Sequence, residues 1–259
     1  MIVGVARIPG PNVIGATGGS GTRVVARIVR HGGVFIGTNL NVSEDALDFG
    51  VYSDRWINIF LGGQAFQLSP ATRAAMIGDL TATVERHLAP LSPSARAWGW
   101  KEPRSIFLLP FLDSQFPALK FLHVIRDGRD MAYSANQNQL IKHGHLALDG
   151  IQAGTDQPVR SIALWSRLNL STAEYGETFL RARYLRIRFE DLCREPNPTI
   201  VRIFEFFGLT SDVEQVARLE VKPPASLGRW RTQERDTLLE VQRVGRVALE
   251  RFGYHETPE

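Results

Sequence analysis

Val13-Ile14-Gly15-Ala16-Thr17-Gly18-Gly19-Ser20-Gly21-Thr22-Arg23 is a short apolar run that ends in a glycine-rich turn and opens a helix. Asn12 to Ala16 reads as a buried strand, and Val24 to Val29 as the apolar face of the helix that follows. Between them, Gly18, Gly19 and Gly21 let successive N–H groups converge on one point, and the helix adds its positive N-terminal end. Strand, turn and helix together make an anion site. The first question is which anion.

A Walker A loop requires glycine, four residues, then Gly-Lys-Ser/Thr. Here Gly21 is followed by Thr22 and Arg23, and Ala16 stands where the earlier glycine belongs. That weakens ATPase and kinase readings. Gly15-Ala16-Thr17-Gly18-Gly19-Ser20-Gly21 also resembles the Gly-Ala-Thr-Gly-x-x-Gly turn of short-chain dehydrogenase relatives. A dinucleotide site expects a charged residue closing the next strand, to hold the ribose or its phosphate. The next strand, Gly33 to Ile36, runs instead into Gly37-Thr38-Asn39, and no Tyr-x-x-x-Lys pair occurs. An NAD(P)-binding oxidoreductase stays only as the alternative reading.

A second segment bears on the choice: Phe121-Leu122-His123-Val124-Ile125-Arg126-Asp127-Gly128-Arg129-Asp130-Met131-Ala132-Tyr133-Ser134. Lys120 to Ile125 has a buried-strand pattern, Arg126 stands at its end, and Asp130 onward reads as a helix start. A guanidinium fork at a strand end suits a phosphate, and Ser134 adds a hydroxyl eight residues on. Strand ends in open α/β sheets are where ligands bind. The same four charged residues could equally be a solvated surface cluster.

These features, in this order, resemble the sulfotransferases that use 3′-phosphoadenosine 5′-phosphosulfate (PAPS). The family's 5′-phosphosulfate loop commonly reads Lys/Arg-Ser-Gly-Thr-Thr, and Gly19-Ser20-Gly21-Thr22-Arg23 occupies that place. Its 3′-phosphate element, Arg with Ser eight residues later, matches Arg126 and Ser134. A Lys-Asp/Glu-Pro turn matches Lys101-Glu102-Pro103. The strand Tyr184 to Arg188, leading into Phe189-Glu190-Asp191-Leu192, resembles the family's strand and acidic turn. Leu227-Gly228-Arg229-Trp230 resembles a late basic–Trp motif that closes over the nucleotide. The resemblance spans Val13 to Tyr254.

The resemblance implies sulfuryl transfer from PAPS to a hydroxyl or amine of a small-molecule or glycan acceptor, leaving PAP. It assigns cofactor binding to Gly18, Gly19, Ser20, Gly21, Thr22, Arg23, Arg126, Ser134, Arg229 and Trp230. One departure is plain: the basic residue that usually precedes Ser-Gly-Thr is Gly19 here. Either Arg23 reaches back to replace it or Lys101 carries more of the charge stabilisation. A non-catalytic nucleotide-binding relative is the further alternative. Such transfer needs positioning and electrostatic stabilisation more than covalent chemistry, which makes Lys101 the candidate for the bridging oxygen. Attack by an alcohol calls for a base. Glu44, Asp45 and Asp48 are candidates, and Glu44 is the choice. Ser43 is read as the N-cap of the helix they open. His123 reads as a core histidine, and His143 and His145 as loop residues near the acceptor.

Composition fits one soluble α/β enzyme domain, residues 1–259, in three layers with a central parallel sheet and helices on both faces. Net charge is +3, too mild to argue for nucleic acid. The single Cys193 allows no intrachain disulfide, and no His/Cys/Asp spacing suggests a metal. Met1 to Pro11 resembles neither a signal peptide nor a membrane span, so a cytoplasmic enzyme is expected. Stretches 44–67 and 137–158 have no strand partner in the alternation, and both are expected to shape the acceptor pocket. Further helices are expected over Thr72–Leu88, Arg104–Phe116, Asp156–Arg181, Asn197–Phe207 and Leu238–Phe252. The acceptor and the oligomeric state are not readable.

Overall fold

Five short strands carry the architecture: β1 (Asn12–Ala16), β2 (Val34–Phe35), β3 (Ala97–Lys101), β4 (Lys120–Ile125) and β5 (Tyr184–Arg188). The structure is a computed structural model that describes residues 8–63, 68–149 and 156–255. Every strand pairing is parallel, in the order β2-β3-β1-β4-β5. Strand β1 is central and buried at all five residues, as a sheet covered on both faces demands. In a dinucleotide-binding sheet the first strand lies beside the second. Here it lies between β3 and β4, so the oxidoreductase alternative is overturned by topology.

Alternate residues of these strands build separate cores. Val13, Trp100 and Phe121 face one way, onto helices α2 (Leu47–Gly62) and α3 (Pro70–Leu88). Ile14, Leu122 and Ile187 face the other, onto α1 (Thr22–His31) and a later group. The remaining helices run in chain order: α4 (Leu109–Gln115), α5 (Gly128–Ala132), α6 (Asn138–Ala147), α7 (Gln157–Tyr175), α8 (Phe189–Arg194), α9 (Pro196–Phe207), α10 (Val213–Glu220) and α11 (Arg235–Arg251). Helices α9 and α10 join α1 on its face, and α11 packs along α7. The three-layer α/β expectation therefore describes the molecule.

Some helix limits differ from the sequence expectation. Residues 104–116 divide into a 3-10 turn, Pro103–Leu108, and α4, because Pro110 cannot continue the preceding hydrogen-bond ladder. Helix α7 stops at Tyr175 and widens into a π-type turn over Gly176–Leu180. Ser43 is not an N-cap: α2 starts at Leu47, and the Asn41 side-chain oxygen instead accepts from the Ser43 and Asp45 amides. Both expected insertions supply helices at the strand ends, α2 and α6; their residues 64–67 and 150–155 lie outside the described set.

Candidate active site

Parallel register sets the site. Ile14 of β1 lies opposite Lys101 of β3 and Leu122 of β4, so β3 ends two residues before β1 and three before β4, and all three open at the same edge of the parallel sheet. The turn after β1 is made tight by Gly19 and Gly21, at φ +86° and +83°, where only glycine sits without strain. A Cβ on Gly21 would lie 2.2 Å from the Phe189 ring, so that glycine also admits the aromatic side chain against the loop. Ser20 is fully buried, and its hydroxyl donates to the Thr17 carbonyl at 2.7 Å. Its side chain therefore closes the loop on itself, and Ser20 does not line the adjoining cavity. A Cβ on Gly19 would stand 3.1 Å from Met131 and 3.8 Å from the Ser134 hydroxyl. At Gly19 the left-handed backbone, more than the space around it, favours glycine. Ser134 lies against this loop and does not line the cavity that holds Arg126, whereas the eight-residue spacing pairs it with Arg126.

The loop and the second element meet across one cavity of about 300 Å³, lined together by Gly18, Gly21, Thr22, Arg23, Lys101 and Arg126. Arg126 is 4% exposed and leaves Nε without a hydrogen-bond partner. Its Nη2 donates to Asp130 at 3.0 Å and to the Ser226 carbonyl at 2.5 Å. The Trp165 indole donates to the Arg126 carbonyl at 3.0 Å, so that core tryptophan fixes the strand end. Arg229 lies on a 3-10 turn, Arg229–Thr232, with Nε 3.3 Å from the Ser226 carbonyl. Burial, and then the neighbouring Arg126 charge, hold its pKa below the ordinary value. The Asp130 carboxylate, paired with Arg126 at 3.0 Å, offsets part of that repulsion, and Arg229 itself does not line the cavity. Trp230 departs from expectation: its ring lies 3.8 Å from the Arg129 guanidinium and lines a different cavity.

Lys101 is 2% exposed, and Nζ donates to the Ser43 carbonyl at 2.7 Å and to the Asp45 carboxylate. Burial lowers its pKa against the opposing pull of Asp45. Glu102 does not pair with it; that carboxylate accepts from Arg104 Nε at 2.6 Å, and burial raises its pKa. Arg23 lies at the exposed rim, with one N–H 3.4 Å from the Val42 carbonyl. Glu44 is a correction. Its carboxylate is gripped by Arg27 at 2.6 Å and Arg30 at 3.0 Å on the outside of α1. Asp45 occupies the place expected of Glu44, because the Asn41-centred turn, with Glu44 at φ 62°, swings neighbouring side chains apart.

Asp45 also lines a second opening, of about 230 Å³, together with Arg104, Asn136, Asn138, Gln139 and Lys142. Gly18, Asp45, Pro103 and Asn136 line both spaces, so the two join there. Sequence reasoning did not assign site roles to Phe189, Ser226 or the amides of α6. Phe189 was quoted inside a motif, but nothing in its spacing shows that its ring faces the loop. His143 is buried, with Nδ1 2.7 Å from Asn58 Oδ1, rather than lying in a solvated loop. Among the described residues, no group of three or more His, Cys, Asp or Glu side chains is placed to hold a metal. No helix among them is long and apolar enough to cross a membrane.

The model of the sulfotransferase family matches residues 54–213. The chain belongs to the sulfotransferase family. The match includes Lys101, Arg126 and Ser134. Human carbohydrate sulfotransferases 6 and 5 are each 32% identical to this family member, over 111 and 115 residues. Those alignments cover 40% of this chain but only 28% and 27% of the human proteins. In fold, this chain resembles the sulfotransferase domain of the Synechococcus PCC 7002 olefin synthase, with TM-score 0.55, 17% identity and 98% of each chain covered. It also resembles the sulfotransferase STF9 from Mycobacterium avium, with TM-score 0.53, 11% identity, and 95% of this chain and 78% of that one covered.

Proposed function

We propose that the protein transfers a sulfuryl group from PAPS to a hydroxyl of an acceptor seated in the adjoining opening. One observation carries this reading: the glycine-rich loop, Lys101 and Arg126 come from three strand ends yet line a single cavity of about 300 Å³. The cavity suits a nucleotide with phosphates at both ends. Gly18, Gly19, Gly21 and Thr22 line it, and their backbone amides are the donors for one phosphate. Arg126, with an unpartnered buried N–H, stands at the other beside Arg229. Phe189 supplies an aromatic wall between them. When bound, the nucleotide supplies the activated sulfuryl group.

The chain's own residues then have distinct tasks. Lys101, a buried ammonium at the end of β3, is placed to stabilise negative charge that develops beside the loop. Asp45 stands where the two openings join and is placed to take the acceptor's hydroxyl proton. Arg23 at the rim adds positive charge where the usual basic residue is replaced by Gly19. The acceptor opening is lined by side-chain amides, which both donate and accept and so match hydroxyl groups. Its size suits one sugar-sized polar group, and the human relatives are carbohydrate sulfotransferases. The test is incubation with PAPS carrying radiolabelled sulfate and a panel of simple glycosides and alcohols. Label should appear in an organic sulfate ester. Nucleotide binding without transfer to any acceptor would instead favour a non-catalytic binder.

A further inference from the structure

A larger cavity, of about 450 Å³, lies behind the nucleotide cavity, and the proposed reaction does not use it. One wall separates the two, and three segments build it by turning neighbouring residues to opposite sides. Arg126, Phe189 and Ser226 face the nucleotide cavity; Asp127, Arg188 and Leu227 face the other.

The carboxylates of this second cavity are already satisfied. Asp127 accepts from Arg129 at 3.0 and 2.8 Å. Asp130 accepts from Arg126 at 3.0 Å and from the Gly228 and Trp230 amides at 2.9 and 3.4 Å. Glu190 accepts from the Asp127 amide at 2.9 Å and the Tyr254 hydroxyl at 2.8 Å. Its guanidinium groups are satisfied only in part, although Arg194 pairs with Asp191 at 2.7 Å. Arg129 is 3% exposed, yet its Nη1 has no hydrogen-bond partner, and neither has Arg188 Nε. Among the described residues, Arg188 and Arg231 form no ion pair; they lie over the Tyr254 and Trp230 rings at 4.3 and 4.8 Å. A buried N–H left unpaired costs about 1–3 kcal/mol, and an oxyanion is the acceptor that best removes such a cost for a guanidinium.

We propose that this cavity binds a multivalent oxyanion, of phosphate or sulfate type, through Arg129, Arg188 and Arg231, and that its occupancy weakens nucleotide binding. The coupling runs through the segment Ser226–Trp230. Asp130 anchors that segment by two amides while Ser226 covers Arg126. An anion that fixes Arg231 and Trp230 keeps Ser226 on Arg126, where a nucleotide phosphate must displace it. By linkage, nucleotide then weakens the anion equally. The coupling half of this proposal rests on the nucleotide reading above; the second site does not.

The probe is inorganic pyrophosphate, with sodium chloride holding ionic strength constant. Titrated against the wild-type protein, the dissociation constant of PAP should rise and then level off, at a factor within about 5- to 150-fold. Arg188→Ala should abolish the rise while leaving PAP affinity without pyrophosphate unchanged, and Arg231→Ala, a surface change, should lessen it. A rise in proportion to pyrophosphate without limit means simple competition at the nucleotide site, and overturns the proposal. So does no rise, or a plateau unchanged in both variants, which marks an adventitious ion only. If PAP itself fails to bind, direct calorimetric titration of pyrophosphate into wild type and both variants still reads the second site. Binding absent, or equal in all three, overturns it.

Discussion

Lys101 and Asp45 touch one another at the join of two openings, and their charges have different fates there. Lys101 is buried deeply enough that its pKa falls below the ordinary 10.5 in spite of Asp45. In the proposed reaction, the negative charge of a bound nucleotide would draw on Lys101 and leave Asp45 as the acceptor for the hydroxyl proton. Lys101→Ala should lower kcat by about 100- to 1000-fold while sparing nucleotide affinity, the cost of losing one preorganised donor. Transfer kinetics beside calorimetry would check this, and a loss confined to affinity would count against the assignment. Asp45→Asn should lower kcat by about 100- to 10,000-fold. Glu44→Gln should change it little, because an outward carboxylate held by Arg27 and Arg30 contributes only about 0–1 kcal/mol to stability. The reverse ranking in a rate assay would restore Glu44 as the base.

At the scale of elements, the turn between β1 and α1 depends on backbone that only glycine adopts freely. Gly21→Ala places a methyl group 2.2 Å from the Phe189 ring at φ +83°. It should cost about 1–3 kcal/mol in strain and weaken nucleotide binding together with stability. Thermal unfolding and calorimetry on the same variant test this; unchanged unfolding with unchanged affinity would refute it. The strand-turn-helix units were legible in the sequence because apolar runs and glycines mark them directly. Asn12–Ala16 and Lys120–Ile125 coincide with β1 and β4 residue for residue. Side-chain direction was not legible. Nothing local to Ser43-Glu44-Asp45 reveals that an Asx turn at Asn41 turns Glu44 out and Asp45 in. Trp230 likewise leaves the nucleotide cavity because Arg129, 101 positions earlier, offers its ring a cation at 3.8 Å.

For the whole molecule, the core carries histidines that fold in the neutral state. His123 is completely buried between Tyr184 and Asn169, at 2.8 Å from each, and burial pushes its pKa down to about 3. Burial also lowers His87 and takes His143 to about 4. Below about pH 6.5 the unfolded chain takes up protons that the folded chain refuses. Stability is therefore intact above that pH and falls as pH drops toward the folded values. The slope is about 1.4 kcal/mol per pH unit for each such group. Denaturant unfolding at about pH 7 and about pH 5.5 should show the loss, and His123→Gln should reduce it. Equal stability at both pH values would contradict the neutral core.

The central claim is that the loop after β1 and Arg126 after β4 hold opposite ends of one doubly phosphorylated adenosine. Calorimetry of PAP and of adenosine 5′-phosphate, on wild type and on Arg126→Ala, isolates the 3′-phosphate at that guanidinium. Wild type should prefer PAP by at least about tenfold, and the variant should lose most of that preference, in keeping with about 1.5–3 kcal/mol for a charged hydrogen bond. Equal affinities in wild type, or a preference undiminished in the variant, would contradict the account.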